Sequence, residues 1–263
     1  MNTTPHLRPM EFGDILDGAF KLYRAQFVRM FSAALIAYLP NLAFELWAAR
    51  AFDVTEAGAS AAVGVLRLPI LLLTFVLVYA TLTYQADRAL AGSPVGAGEA
   101  FRGAAGRLLP LAAAYALVGL AVGLGLILLI VPGIILAMMF FAVAPAVVVE
   151  HQGPMAALSR SRQLSRGALG HIAGVLIVAG IIAMLPTFAV STAGAVMVGL
   201  SAASGGDPTG AMMAMSGLQV LVSALVAPFS VGVMMMLYYD RRVRTEALDL
   251  QVAAERLGEP VGV

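Results

Sequence analysis

The chain contains no cysteine, one tryptophan, three histidines and few charges: Asp, Glu, Lys and Arg together make up 12% of 263 residues. The missing cysteine excludes disulfides, thiolate metal sites and cysteine nucleophiles. His6, His151 and His171 are scattered, and no acids gather near them as the ligands of a metal would. Serines are plentiful, yet none has the nearby His and Asp that would activate it. No convincing strand pattern occurs, and so no glycine-rich phosphate loop following a strand. A net charge of +1 gives nucleic acid little to hold. No catalytic residue, cofactor site or metal site emerges from these patterns.

What is present is apolar surface. The chain is 60% hydrophobic, with a mean hydropathy of +0.91, more than a water-soluble domain of this length can hide. The polar residues are gathered into short islands between apolar runs of roughly 20 residues, the length that matches ~30 Å of hydrocarbon. Six spans are predicted: Phe27–Trp47, Leu68–Gln85, Leu108–Ile130, Ile134–Val149, His171–Leu200 and Ala214–Tyr239. Val131-Pro132-Gly133 reads as a tight turn between the third and fourth. The first 26 residues lack the apolar core of a cleavable signal, so the run from Phe27 is expected to act as an uncleaved anchor. The fold class is therefore all-α: a polytopic membrane helix bundle forming one integral domain over residues 1–263.

Basic residues set the orientation. Fourteen fall on one side of the spans: Arg8, Lys21, Arg24, Arg29, Arg88, Arg102, Arg107, Arg160, Arg162, Arg166, Arg241, Arg242, Arg244 and Arg256. Only Arg50 and Arg67 fall on the other. That bias puts the basic side, with both termini, in the cytoplasm. Pro40, Pro69, Pro110, Pro145, Pro186 and Pro228 predict kinked helices, which make either a cavity or merely irregular packing. Gly119, Gly123 and Gly125, and Ala195 with Gly199, have the small-xxx-small spacing that allows helices to approach closely.

Three segments on the basic side look like variants of one unit, a surface helix leading into a hairpin of spans. The first, 1–26, sets Phe12, Ile15, Leu16, Ala19, Phe20, Tyr23 and Phe27 on one helical face. The second surrounds Glu99–Arg107, and the third starts at Pro154. These helices are expected in the inner interface, apolar face down. Arg160, Arg162 and Arg166, with Arg241 and Arg242, either hold an anionic headgroup or partner or simply enforce orientation. Residues 240–263 continue as a cytoplasmic helix, with Val243, Ala247, Leu250, Ala254 and Leu257 forming an apolar seam that packs on the protein itself, on lipid or on a partner. In that helix Asp240 with Arg244 and Arg242 with Glu246 form i,i+4 pairs worth a few tenths of a kcal/mol.

Two acids stand out. Glu150, at the end of the fourth span, forms a structural ion pair with a nearby arginine or accepts protons at the mouth of a pathway. Glu45, near the far end of the first span, snorkels to the outer interface or lines a cavity. The mid-membrane stretches otherwise lack ionisable groups, which weighs against ion-coupled transport.

The runs Val131-Pro-Gly-Ile-Ile-Leu-Ala-Met-Met-Phe-Phe-Ala-Val-Ala-Pro-Ala-Val-Val-Val-Glu150, Ala157-Leu-Ser-Arg-Ser-Arg-Gln-Leu-Ser-Arg-Gly167 and Tyr238-Tyr-Asp-Arg-Arg-Val-Arg-Thr-Glu-Ala-Leu-Asp249, with the opening Arg8-Pro-Met-Glu-Phe-Gly-Asp-Ile-Leu-Asp-Gly-Ala-Phe-Lys-Leu-Tyr-Arg24, carry a resemblance. Taken together the chain resembles the glycerophosphoryl diester phosphodiesterase membrane domain family and its bacterial relatives. The resemblance implies a bacterial cytoplasmic membrane and a helical membrane region. It implies no hydrolase activity, because these 263 residues leave no room for a catalytic barrel of ~250 residues. Pro132, Gly133, Pro145, Glu150, Arg160, Arg166, Asp240, Arg241 and Glu246 match the family pattern as structural or interfacial positions.

The favoured reading is a non-enzymatic inner-membrane module that scaffolds or regulates a partner, or engages lipid. The alternative is a transporter, pore or lipid translocator with a path between kinked helices. A hydrolase of lipid headgroups ranks last. Expected partners are membrane lipids and a membrane or cytoplasmic protein. The orientation is testable directly: tags fused to Met1 and Val263 are expected to be unreachable by antibody in intact cells and reachable after permeabilisation, and outside labelling of both would overturn it.

Overall fold

A computed structural model describes residues 9–51, 57–205 and 208–246. Nine helices and no strand occur among the described residues: α1 (Phe12–Ala51), α2 (Ala57–Leu90), α3 (Ala97–Ala105), α4 (Leu108–Leu128), α5 (Ile130–Met139), α6 (Val143–Val148), α7 (Pro154–Ser165), α8 (Leu169–Ala203) and α9 (Thr209–Glu246). Six segments are long and apolar enough to cross a membrane: Phe12–Ala51, Val63–Leu90, Leu108–Leu128, Ile130–Val148, Leu169–Ala203 and Thr209–Glu246. Their outer faces carry exposed Leu120, Ile127, Leu128, Ile177, Ile181 and Phe188. A belt of that kind would aggregate in water and is at rest in lipid. The chain is a multi-pass membrane protein.

The first surface helix and the first span are one continuous element, α1, and the expected boundary appears as a kink. Gln26, with φ −115° and ψ 15°, is the residue inside α1 that leaves helical geometry. Before the kink, Ile15, Ala19 and Leu22 are buried, and Phe20 lies against Phe229 of α9 at 4.6 Å between ring centroids. The apolar side of this segment therefore leans on the bundle, where the sequence had turned it toward lipid. Gly18 makes the approach possible, because a Cβ there would sit 3.1 Å from Met236 Sδ. The other two surface helices form as predicted, as α3 ahead of α4 and α7 ahead of α8. Residues 247–263, with the predicted seam through Ala247, Leu250, Ala254 and Leu257, lie outside the described residues, as do 1–8.

α9 is the pillar. From Phe229 to Arg241 it is buried at every position but Ser230 and Tyr239, and α1 and α8 pack along it. It runs past the predicted end at Tyr239 to Glu246 without a break.

The prolines fall into two groups. α2, α8 and α9 run on through Pro69, Pro186 and Pro228, and Pro40 is not the kinked residue of α1. Pro110, Pro132 and Pro145 each occupy the third position of a helix and Pro154 the first. The backbone N–H at these positions has no intrahelical partner to lose. Proline here starts helices. Accordingly Val131-Pro132-Gly133 is the first turn of α5, and the link to α4 is the single extended residue Leu129 (φ −157°, ψ 133°).

So short a link forces the two helices together at Gly125 and Gly133. A Cβ on Gly125 would lie 2.9 Å from Gly133 Cα, and one on Gly133 would lie 2.5 Å from Leu126. Gly119, Gly123 and Gly199 meet nothing within 4 Å, so the expected close approach is made by Gly125 alone in that set. Gly133→Ala is expected to lower stability by about 1–3 kcal/mol through overpacking, read as a lower thermal midpoint in detergent. Gly123→Ala, in open space, is expected to leave the midpoint unchanged or raised.

Candidate functional site

Two features meet inside the bundle: a knot of charges at the basic end and a cavity beyond it. The knot begins where α6 ends. The turn Glu150–Gly153, with His151 at φ 60°, brings the chain back so that α7 lies beside α6. Glu150 then receives Arg160 in a two-pronged pair, Nε to Oε2 at 2.7 Å and Nη2 to Oε1 at 2.8 Å. Tyr238 of α9 donates its hydroxyl to the same Oε1 at 2.7 Å. Arg160 also pairs with Glu246. Arg242 completes the ring by donating to Glu246 at 3.1 Å and to the Tyr238 hydroxyl at 3.3 Å. Two acids and two bases thus neutralise each other while joining α6, α7 and α9. The hydrogen bonds that Arg160 donates to Glu150 lift the Arg160 pKa above its ordinary value, outweighing partial burial, so it stays charged.

A second node fixes the chain's start. Asp240, with no exposed surface, accepts the backbone N–H of Met10 at 2.8 Å and the Arg244 guanidinium at 2.9 Å. Arg244 in turn donates to the Met10 carbonyl at 2.7 Å. Arg241 donates to the carbonyl of Leu164 at 2.8 Å, capping the last turn of α7. Tyr239 donates to Asp87 of α2 at 2.6 Å. Ser161, buried on α7, bridges the gap between α5 and α6: it donates to the Met139 carbonyl at 2.9 Å and accepts the Ala142 N–H at 3.0 Å. That gap, Phe140–Ala142, divides the predicted fourth span into two pieces.

The sequence singled out Glu150 as a partner for an arginine, and the structure supplies Arg160. Of the five arginines expected either to hold a headgroup or partner or to enforce orientation, Arg160, Arg241 and Arg242 are turned inward; Arg162 on α7 and Arg166 just past its end stay exposed. Asp240 was underrated as half of an exposed helix pair. Its signal was local: it follows Tyr238-Tyr239 on an apolar run, and a charge entering buried surface needs partners already in place.

Beyond the knot, all six spans border a partly open hollow of about 880 Å³. Tyr38 of α1, Thr74 and Tyr79 of α2, Tyr115 of α4, Phe140 at the end of α5, Ala179 of α8 and Ser230 of α9 all border it. A second hollow of about 690 Å³ continues away from the basic end, sharing Asn41 and Leu71 as walls. It contains Glu45, whose Oε1 accepts Arg67 Nε at 2.7 Å, and the pair Ser191–Gln219 at 3.2 Å. Glu45 therefore lines a hollow, the second of its two readings. Thr74 Oγ and Asn41 Oδ1 are buried without a hydrogen-bond partner. Mostly apolar walls with a few polar groups are the ordinary make-up of a small-molecule site, and both volumes fall in the usual ~300–1,000 Å³ range. No trio of metal-ligating side chains converges among the described residues. The chain matches no family model, no curated protein and no solved structure.

Removing one partner from the knot leaves buried charge behind. Glu150→Ala is expected to cost about 3 kcal/mol, the lower part of the range for a broken buried pair. Exposed Arg162→Ala should stay within ~0.5 kcal/mol. Thermal unfolding of the two variants in detergent checks this; equal midpoints would show that the knot is not stabilising.

Proposed function

We propose that this protein is a non-enzymatic module of the bacterial inner membrane, with both termini in the cytoplasm, that engages lipid inside its helix bundle. The observation that carries the reading is the central cavity bordered by all six spans. Its largely aromatic and aliphatic walls suit acyl chains. Exposed Arg162 on α7 and Arg166 just past its end add attraction to anionic headgroups at the cytoplasmic surface, worth ~1 kcal/mol each.

A second reading, lipid translocation, is favoured by the asymmetry of the cavity. The outer hollow reaches Glu45 and Arg67, while the knot around Glu150 ties α6, α7 and α9 together at the basic end. Translocation would require that knot to open, and lipid flux in proteoliposomes separates binding from transport.

Gly119 tests the proposal. It borders the cavity, and a Cβ there meets nothing within 4 Å, so a larger side chain takes up volume without backbone strain. Gly119→Leu is expected to reduce the lipid carried through detergent purification, counted by native mass spectrometry, at an unchanged thermal midpoint. Equal lipid content in both forms would overturn the cavity as the binding place.

A further inference from the structure

From the outer hollow we infer that the site selects a zwitterionic, amine-bearing glycerophospholipid, its ammonium on Glu45 and its phosphate on Arg67. The inference rests on the lipid-engaging reading above and names the ligand class.

The hollow presents its polar groups in the order of such a lipid. Outermost stands the Glu45–Arg67 pair, with side chains 17% and 46% exposed. Both contacting Arg67 nitrogens, Nε and Nη2, lie against the same carboxylate oxygen, Oε1. Oε2 accepts no hydrogen bond among the described residues, and Arg67 keeps further N–H groups to donate. The doublet thus has one free acceptor of negative charge beside free donors of positive charge. A lone anion would meet the carboxylate, and a lone cation would meet the guanidinium. A headgroup with both charges satisfies the two together, and an ammonium with N–H bonds uses Oε2 as a hydrogen-bond acceptor.

One helical turn further in from Glu45, about 6 Å along α1, lies Asn41. Two turns in from Arg67 on α2, about 10 Å, lies Thr74. Thr74 is 3% exposed, and its hydroxyl has no partner, nor has Asn41 Oδ1. Buried polar atoms cost free energy until they are bonded. The Thr74 hydroxyl is thus an unpartnered donor that an ester carbonyl of a bound lipid would satisfy. Past this level the walls are mostly apolar or aromatic, with Phe75, Tyr115, Val118, Val122 and Phe140 among them and Ser223 and Ser230 as polar exceptions. Charged pair, unpartnered hydroxyl and largely apolar pocket thus lie in two adjoining hollows that share Asn41 and Leu71 as walls.

The test is native mass spectrometry of the full chain in detergent, titrated with phosphatidylethanolamine and with phosphatidylglycerol of identical tails. The wild type should bind the ethanolamine lipid ~10-fold more tightly, the usual effect of one charge-assisted hydrogen bond. Glu45→Gln should erase that preference, Arg67→Gln should weaken both lipids, and Gly119→Leu should weaken both equally while keeping the preference. Where Glu45→Gln lowers the thermal midpoint, the double variant Glu45→Gln/Arg67→Met leaves no unpaired charge and reports the same preference. Equal wild-type binding of the two lipids, still lost in Gly119→Leu, overturns the headgroup assignment and leaves the lipid-engaging reading standing. Binding that no variant alters is annular lipid only, and it overturns both.

Discussion

Glu150 sits where three helices must agree. It lies just past the last turn of α6, accepts two bonds from Arg160 on α7, and accepts one from Tyr238 on α9. Each of these groups is costly to remove from water alone, and each is satisfied only when the other two are in place. The geometry of the basic end follows from that condition. α7 must lie across α6 so that Arg160 reaches the carboxylate, and Ser161, one residue on, then reaches the open ladder between Met139 and Ala142. Asp240 and Arg241, two and three residues beyond Tyr238, continue the arrangement by tying Met10 and the end of α7 to the same helix. Packing in lipid supplies no hydrophobic drive between spans, so interlocking polar groups of this kind carry much of the specificity.

Much of the architecture was legible because two signals are physical and strong. Apolar runs of membrane length are few in kind, and the arginine bias makes their number and order consistent with one another. The boundary near Phe27 was legible as well, and Gln26 marks it as a kink. The Pro-Gly turn was misplaced for a reason that can be stated. Pro132 breaks a helix only in its interior, and at the third position it initiates one, so the true link shifts back to Leu129. The charged residues were legible as types and not as contacts. Arg160, Arg162 and Arg166 have the same spacing character, yet only one faces Glu150, because that choice depends on how α7 rolls against α6 and α9. A cavity was legible only as one of two alternatives, and its walls were not. Tyr38, Tyr79 and Tyr115 come from three helices, and nothing local to any of them requires a common wall.

The glycines show the same division between local and tertiary information. Gly119 and Gly125 stand six residues apart on one helix. The first faces open cavity and the second touches the backbone of α5. Spacing alone assigns them the same role. What separates them is the one-residue link at Leu129, which brings Gly133 against Gly125, while Gly119 has no neighbour within Cβ reach.

The distribution of charge then bears on what kind of membrane protein this is. The knot at the basic end is nearly neutral within itself, pairing Glu150 and Glu246 with Arg160 and Arg242. At the far end a single pair, Glu45 with Arg67, stands in the outer hollow. Between them the larger cavity has hydroxyls and one amide and no formal charge on its walls. An ion moving through that interval would have only weak dipoles to replace its hydration shell, a poor bargain in a low-dielectric slab. An acyl chain would lose nothing there, since its surroundings before and after entry are alike. An interior without charge, bounded by polar groups at both ends, reproduces the profile of the bilayer itself, and a molecule built to that profile is the one it accommodates.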